Sequence, residues 1–175
     1  MKRHWELDEL IDHFTMMPNE LQQLGNKTGA TRLGFAVLFK FFQYKAKFPK
    51  YKSEIPKDIV LYISKQLGIE ETNFYNYNWN GRNIKYHRAQ IREFFGFHKA
   101  TKQDINTISE WLCSNILYYD LNIEQLKNRA FKRFRKLRIE PPTLDQIDRL
   151  AKSIIYNYEN QFFQNTLQKL SKEFC

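Results

Sequence analysis

The sequence predicts an all-α protein: two small helical, helix-turn-helix-like bundles followed by a long C-terminal helix. Three observations carry that expectation. Six Gly and five Pro make 11 of 175 residues, about half the usual combined share of roughly 12%, which is too few for turn-rich β architectures. Apolar residues recur at spacings of three and four through most of the chain. Two capping boxes, Thr101-Lys-Gln-Asp104 and Thr143-Leu-Asp-Gln146, mark helix starts directly.

In chain order, Leu7, Leu10, Ile11 and Phe14 define a first short helix; Thr15 to Pro18 interrupts it, and NELQQL resumes the pattern with Pro18 suited to a first helical turn. After a loop at Gly25 to Gly29, Leu33, Val37, Phe41 and Tyr44, flanked by Phe35, Ala36, Leu38, Phe39 and Phe42, make a helix apolar on most of its circumference, hence a buried central one. Lys45 to Pro56 is a polar, Pro-bounded connection, and Ile59, Val60, Ile63 and Leu67 mark a helix ending at Gly68. A short helix in ETNFYNY and a turn at NWNG lead to a helix from about Arg82 to Phe95, closed by Gly96, with Ile84, His87, Ile91 and Phe94/Phe95 on its apolar line. The Thr101 box opens a helix with Ile105, Ile108, Leu112, Ile116 and Tyr119 inward and Cys113 as a small packing residue. Ile123, Leu126, Ala130, Phe134 and Leu137 line the next helix until Pro141-Pro142 stops it, and the last helix runs from the Thr143 box to about Lys172. The chain is expected to divide near residues 52–70, giving helical subdomains at 1–55 and 56–142 and a helix over 143–175.

Lys and Arg number 28 against 19 Asp and Glu, a net charge of +9. With 16% aromatic residues the chain is no solvated basic tail, and a folded basic domain calls for a polyanionic partner. The excess is +3 over residues 1–70, +6 over 71–142 and zero over 143–175. Two cysteines, Cys113 and Cys175, supply neither a disulfide framework nor a zinc site. No Gly-rich phosphate loop, His pair with a carboxylate, or Cys with a His base is present at motif level, and the histidines are scattered at 4, 13, 87 and 98. No catalytic group, metal or cofactor is therefore expected. MKRHWELDEL lacks the apolar core of a signal peptide, and WLCSNILYY at 111–119 falls far short of the roughly 18 residues of a span, so a cytoplasmic protein without a membrane partner is expected.

Two stretches concentrate the charge. KNRAFKRFRKLR, from Lys127 to Arg138, holds seven basic residues and no acid, whereas a merely solvated helix face commonly interleaves both signs. Its candidate phosphate contacts are Lys127, Lys132, Arg133, Arg135 and Lys136. In the 82–92 helix, Arg82, Lys85, Arg88 and Arg92, with His87 among them, lie beside Asn83, Tyr86 and Gln90, a mixture able to hold phosphates and read base edges in one groove, although a solvent-exposed face is the alternative. Arg88 and Arg92 are expected to give specificity and the 127–138 cluster affinity. A competing assignment takes ISKQLGI plus EETNFYNY as the helix-turn-helix, but Glu70 and Glu71 would then face phosphates. KTGATR sets Lys27, Thr28, Thr31 and Arg32 at a helix start whose free N–H groups favour a phosphate; alternatively Thr28 is simply an N-cap. Stacking of single-stranded nucleic acid is a further alternative, but most Phe and Tyr fall on core faces.

Four collinear blocks, GATRLGFAVLFKFFQYKAKFP, EIP followed by YISKQLGI, NYNWNGRNIKYHRAQIREFFGF and RKLRIEPPTLDQIDRLAKS, resemble the N-terminal region of Tn-three-family transposases, the large DDE-type enzymes of replicative unit transposons. The resemblance extends from about Leu7 to Ser171. It implies an all-helical, bipartite DNA-binding region that recognises terminal inverted repeats, with the acidic catalytic triad in a later RNase-H-like domain. By their place in the third block, Arg82, Lys85, His87, Arg88 and Arg92 match the family's basic DNA-binding segment. The chain is accordingly expected to be an excised domain or truncated reading frame that binds double-stranded DNA at transposon ends and cuts nothing, in a bacterial cytoplasm at the nucleoid. Residues 143–175 would lead toward the rest of the transposase. The remainder of a transposase, or a second copy, is the alternative partner.

Overall fold

The computed structural model describes residues 2–115 and 122–173, with side chains through residue 167. They form two compact units, Met1–Gly96 and Phe97–Cys175.

The first unit is organised around one helix. α1 (Leu7–Phe14) and α2 (Pro18–Gln22) lead into α3 (Gly29–Lys45), followed by a 3-10 turn at Lys52–Glu54, α4 (Lys57–Leu67), α5 (Thr72–Asn76) and α6 (Arg82–Phe95). Every residue of α3 from Leu33 to Phe42 is buried, because α1, α4, α5 and α6 all pack against it. Aromatic rings do much of the filling: Phe39 lies 4.8 Å from Phe95 and Phe42 4.5 Å from Phe48, centroid to centroid. Gly34 is the closest approach, since a Cβ there would run into the Tyr77 ring. One member of this helix departs from the expected apolar circumference. Lys40 is buried, and its Nζ donates to Glu20 Oε2 at 3.1 Å. Gln43 Nε2 and the Met17 N–H donate to the same carboxylate at 2.8 and 2.9 Å, so the buried charge is compensated on both sides.

The expected break at 55/56 is not a division of this structure. A helix buried all round needs partners all round, and α3 obtains most of its partners from α4, α5 and α6, beyond residue 55.

The second unit stacks α7 (Lys102–Asn115), α8 (Ile123–Lys136) and α9 (Leu144–Glu173). Its core is Ile108, Leu112, Leu126, Ala130, Phe134, Ile139, Ile147, Ala151 and Ile154. Both capping boxes form: Thr101 N–H donates to Asp104 Oδ2 at 2.8 Å with the Asp104 N–H returning to Thr101 Oγ1 at 3.1 Å, and Thr143 with Gln146 repeats the exchange at 3.1 and 3.4 Å. Two short strands, β1 (His98–Lys99) and β2 (Ile139–Glu140), pair in parallel and join the chain entering α7 to the chain leaving α8. Arg138, with φ +57°, turns the backbone from α8 into β2. Ile116 and Tyr119, expected on the inner face of α7, lie outside the described residues. Among the described residues no helix is long and apolar enough to cross a membrane.

Candidate nucleic-acid interface

α6 has two faces with different tasks. Ile84, His87 and Ile91 are buried, and Gly96 ends the helix with φ +68°, a left-handed position that suits glycine. His87 is 3% exposed. Its Nδ1 is 2.7 Å from the Tyr77 hydroxyl, its ring stacks on Tyr77, and its edge meets Phe35. Burial, helped by the nearby Lys27 charge, pushes its pKa down to about 4, so the imidazole is neutral at neutral pH. His87 is thus a packing residue and not a DNA contact: its place on the apolar line outweighs its place in a basic block.

The opposite face of α6 carries Arg82, Asn83, Lys85 and Tyr86, all exposed, the last at 69%. Arg88 and Arg92 lie between the two faces and turn toward the protein. Arg88 Nη2 donates to the Pro49 carbonyl at 3.0 Å, and its guanidinium lies 5.3 Å from the Phe48 ring and 5.9 Å from Trp79. Arg92 lies 5.7 Å from Phe48. Trp79 Nε1 completes the arrangement with a 3.0 Å bond to the Lys50 carbonyl. The two arginines expected to read bases are instead engaged in holding the segment at 48–50 against α6.

At the start of α3, Thr28 occupies the N-cap position but its side chain makes no cap bond. Thr28 is exposed and Thr31 half-buried, and no acid occupies the first turn. Lys27 and Arg32 fold back instead. Lys27 Nζ sits 4.3 Å over the Phe35 ring and donates to the Gln23 carbonyl at 3.2 Å, with burial lowering its pKa. Arg32 Nη1 reaches the carbonyls of Gly25 and Lys27 at 3.5 and 3.4 Å.

α8 presents the reverse balance. Leu126, Ala130 and Phe134 face the core, and Asn122 caps the helix by accepting from the Glu124 and Gln125 N–H groups. Arg129, Lys132, Arg135 and Lys136 are exposed, and none of their side chains makes a hydrogen bond or ion pair among the described residues. The helix has one acid, Glu124, and that acid binds Lys127 at 2.6 Å. Lys127 also reaches Asp148 on α9 at 3.4 Å, so it ties α8 to α9 and does not belong to the open stripe. The Arg133 guanidinium lies over the Trp111 ring, 4.6 Å from its centroid. The expected cluster therefore reduces to Lys132, Arg135 and Lys136, joined by Arg129. Arg129 lies three residues before Lys132 and seven before Lys136, a helical spacing already visible in the basic run.

The family model described as "Domain of unknown function (DUF4158)" matches residues 1–154. The chain belongs to the DUF4158 family. The domain is 22% identical over 165 residues to the transposase for transposon Tn501 of Pseudomonas aeruginosa, a match covering 94% of this chain and 17% of that protein. It is 23% identical over 167 residues to the transposase for transposon Tn1546 of Enterococcus faecium, covering 92% of this chain and 16% of the relative. The chain spans about one-sixth of the length of these relatives. The resemblance to the N-terminal region of Tn-three-family transposases stands on these matches, and the DUF4158 domain is transposase-related.

Proposed function

We propose that the domain binds double-stranded DNA and that its target is the terminal inverted repeat of a transposon. The observation carrying a duplex partner is the stripe Arg129, Lys132, Arg135 and Lys136, outward-facing and free of acids. Phosphate neutralisation by such a stripe releases counterions, which supplies affinity without sequence preference. Preference is assigned to the outer face of α6. An Arg or Lys there can span guanine O6 and N7, and an Asn can pair with adenine, each good pair giving about 1–3 kcal/mol of discrimination. Arg82, Lys85 and Asn83 have the exposure this requires. Arg88 and Arg92 act indirectly by fixing the segment at 48–50. Thr28 and Thr31 offer phosphate contacts at the start of α3, in a loop shaped by Lys27 and Arg32. The transposase names of the relatives support a transposon end as target, and this stretch binds without cutting, the DDE chemistry belonging to another part of the transposase.

Mobility shifts test the reading, using a duplex with the terminal inverted repeat of the element that encodes the chain against a scrambled duplex at two salt concentrations. Preference for the repeat is expected, with Arg82→Ala and Lys85→Ala losing affinity for the repeat more than for the scramble. Lys132→Gln and Lys136→Gln should weaken both duplexes alike and flatten the salt dependence by about 0.9 in slope per lost contact. Equal binding of the two duplexes by the unsubstituted domain overturns sequence reading, and an unchanged slope returns α8 to a solvated face. Both duplexes should remain intact with magnesium present; strand scission would overturn the non-cutting assignment.

A further inference from the structure

We infer that the segment 48–51 presents Tyr51 as a platform on which an unpaired DNA base stacks, with Tyr75 as a second ring. DNA as the partner rests on the function proposed above, but neither a terminal repeat nor a duplex is needed. KAKFPKYK, residues 45–52, holds four lysines, two aromatic rings and no acid. Ring and charge thus alternate in one short connection, the pairing that suits bases and phosphates together.

The backbone of this segment is fixed from both sides. Arg88 Nη2 and Trp79 Nε1 donate to the carbonyls of Pro49 and Lys50, each at 3.0 Å. The N–H groups of Lys50 and Tyr51 donate to Glu54 Oε1 at 2.9 and 3.0 Å. Phe48 stacks on Phe42 of the core, and Pro49 is buried. None of these contacts uses the Tyr51 side chain, whose ring is 56% exposed with Lys50 Nζ 5.2 Å from its centroid. Lys52, the next residue, donates from Nζ to the Tyr75 carbonyl at 2.7 Å, and the Tyr75 ring is 58% exposed. A ring left in water on a backbone tied down in this way is preorganised for a contact, because the loop is already ordered before any ligand arrives.

The combination of ring and lysines selects the ligand. Lysines alone would serve the phosphates of any nucleic acid, or the carboxylates of an acidic protein segment, and both would leave the ring unused. A flat ring beside ammonium groups fits a base with its phosphate, and base–aromatic stacking tolerates any sequence because every base has a π-face. In a duplex those faces are covered by neighbouring base pairs, so only an unpaired base can meet Tyr51. A frayed DNA end or an unwound strand supplies one.

Fluorescence anisotropy with the full chain tests this, comparing a labelled oligothymidylate of about a dozen nucleotides with an abasic strand of the same length. The two strands carry the same phosphates, so the α8 stripe serves both alike and the ratio of affinities reads stacking. The parent should bind the thymidylate about tenfold more tightly. Tyr51→Ala should bring the two strands close to equal affinity, Tyr51→Phe should keep the preference, and Tyr75→Ala should reduce it. Tyr156→Ala, which removes a ring 65% exposed on α9, should leave the ratio unchanged. Thermal unfolding should show Tyr51→Ala as stable as the parent. Without any variant, an iodouracil-substituted strand irradiated on the parent chain should cross-link to Tyr51 or Tyr75. Equal affinity of the parent for the two strands overturns base stacking. So do a preference that survives in Tyr51→Ala, an equal loss in Tyr156→Ala, or cross-links confined to other residues. Preference for the terminal repeat is measured on duplexes and can fail with this ratio intact, and the ratio can vanish with that preference intact, so the two readings fall separately.

Discussion

The first unit turns inward several cations of the kind that α8 of the second unit turns outward. In the first, Lys40 lies in the core on Glu20, Lys27 covers Phe35, and Arg88 and Arg92 lie on Phe48. In the second, the buried side chains among the described residues are apolar, and Arg129, Lys132, Arg135 and Lys136 face water. Similar stretches of basic sequence therefore do different work. Loss of Lys40, Arg88 or Arg92 from the first unit is expected to appear as lost stability, and loss of a cation from the α8 stripe of the second as lost affinity for a polyanion.

The sharpest way to break this contrast is Lys40→Met against Lys132→Met. Removing Lys40 leaves the Glu20 carboxylate buried without its counter-charge, which should destabilise the first unit by about 3–5 kcal/mol. The exposed Lys132 should change stability by no more than about 0.5 kcal/mol. Hydrogen exchange resolved by peptide reads both, through α3 in one variant and α8 in the other. Comparable loss in both variants would end the distinction.

Acid should separate the units next. The folded value for His87, about 4, lies below its ordinary 6.5, so as pH falls the unfolded chain takes up the proton first. The stability contributed is complete above pH 6.5 and is lost as pH falls through 6.5 toward 4. Between pH 7 and 5 the first unit should lose about 2 kcal/mol. No histidine is buried among the described residues of the second unit, so α8 protection should hold over the same range. His87→Phe, which keeps a ring in the site, should flatten the pH response of the first unit.

A smaller effect is expected from Arg88→Ala. It removes a hydrogen bond from a charged donor and two ring contacts, about 1–2 kcal/mol, and Arg88→Lys should recover little because an ammonium lacks the planar fork. A base-reading Arg88 would instead leave exchange unchanged and alter only DNA preference. Smallest is Thr101→Ala in the second unit, which opens a capping box and should cost about 1 kcal/mol, visible as faster exchange in the first turn of α7.

What was legible in the sequence was local. Helix ends at Gly68 and Gly96, both capping boxes and most of the inner lines of α6 and α8 depend on residues within a turn or two of each other and appear in the structure. Phe94 and Leu137, expected at the ends of those lines, are instead 37 and 40% exposed, because each lies where its helix runs out past the core it covers. The direction of each cation was not legible, because the partners are distant in sequence. Arg88 meets a carbonyl 39 residues away and Lys40 a carboxylate 20 residues away. For His87 two readings competed, and the apolar spacing was the better guide than the basic company. The extent of the first unit could have been inferred from α3 itself: a helix apolar on nearly every side cannot be covered by two short preceding helices, so the elements after residue 55 had to join it.

The division of α6 into two faces has an evolutionary consequence. Its inner face is anchored through His87 to Tyr77, and Tyr77 in turn lies against the bare backbone of Gly34, so a change at one of these positions is felt at its neighbour. Arg82, Asn83, Lys85 and Tyr86 carry no such obligation, since none of them helps bury the core. Substitutions there are free to accumulate without unfolding the domain, so on the proposed function sequence preference can change at no cost to the fold.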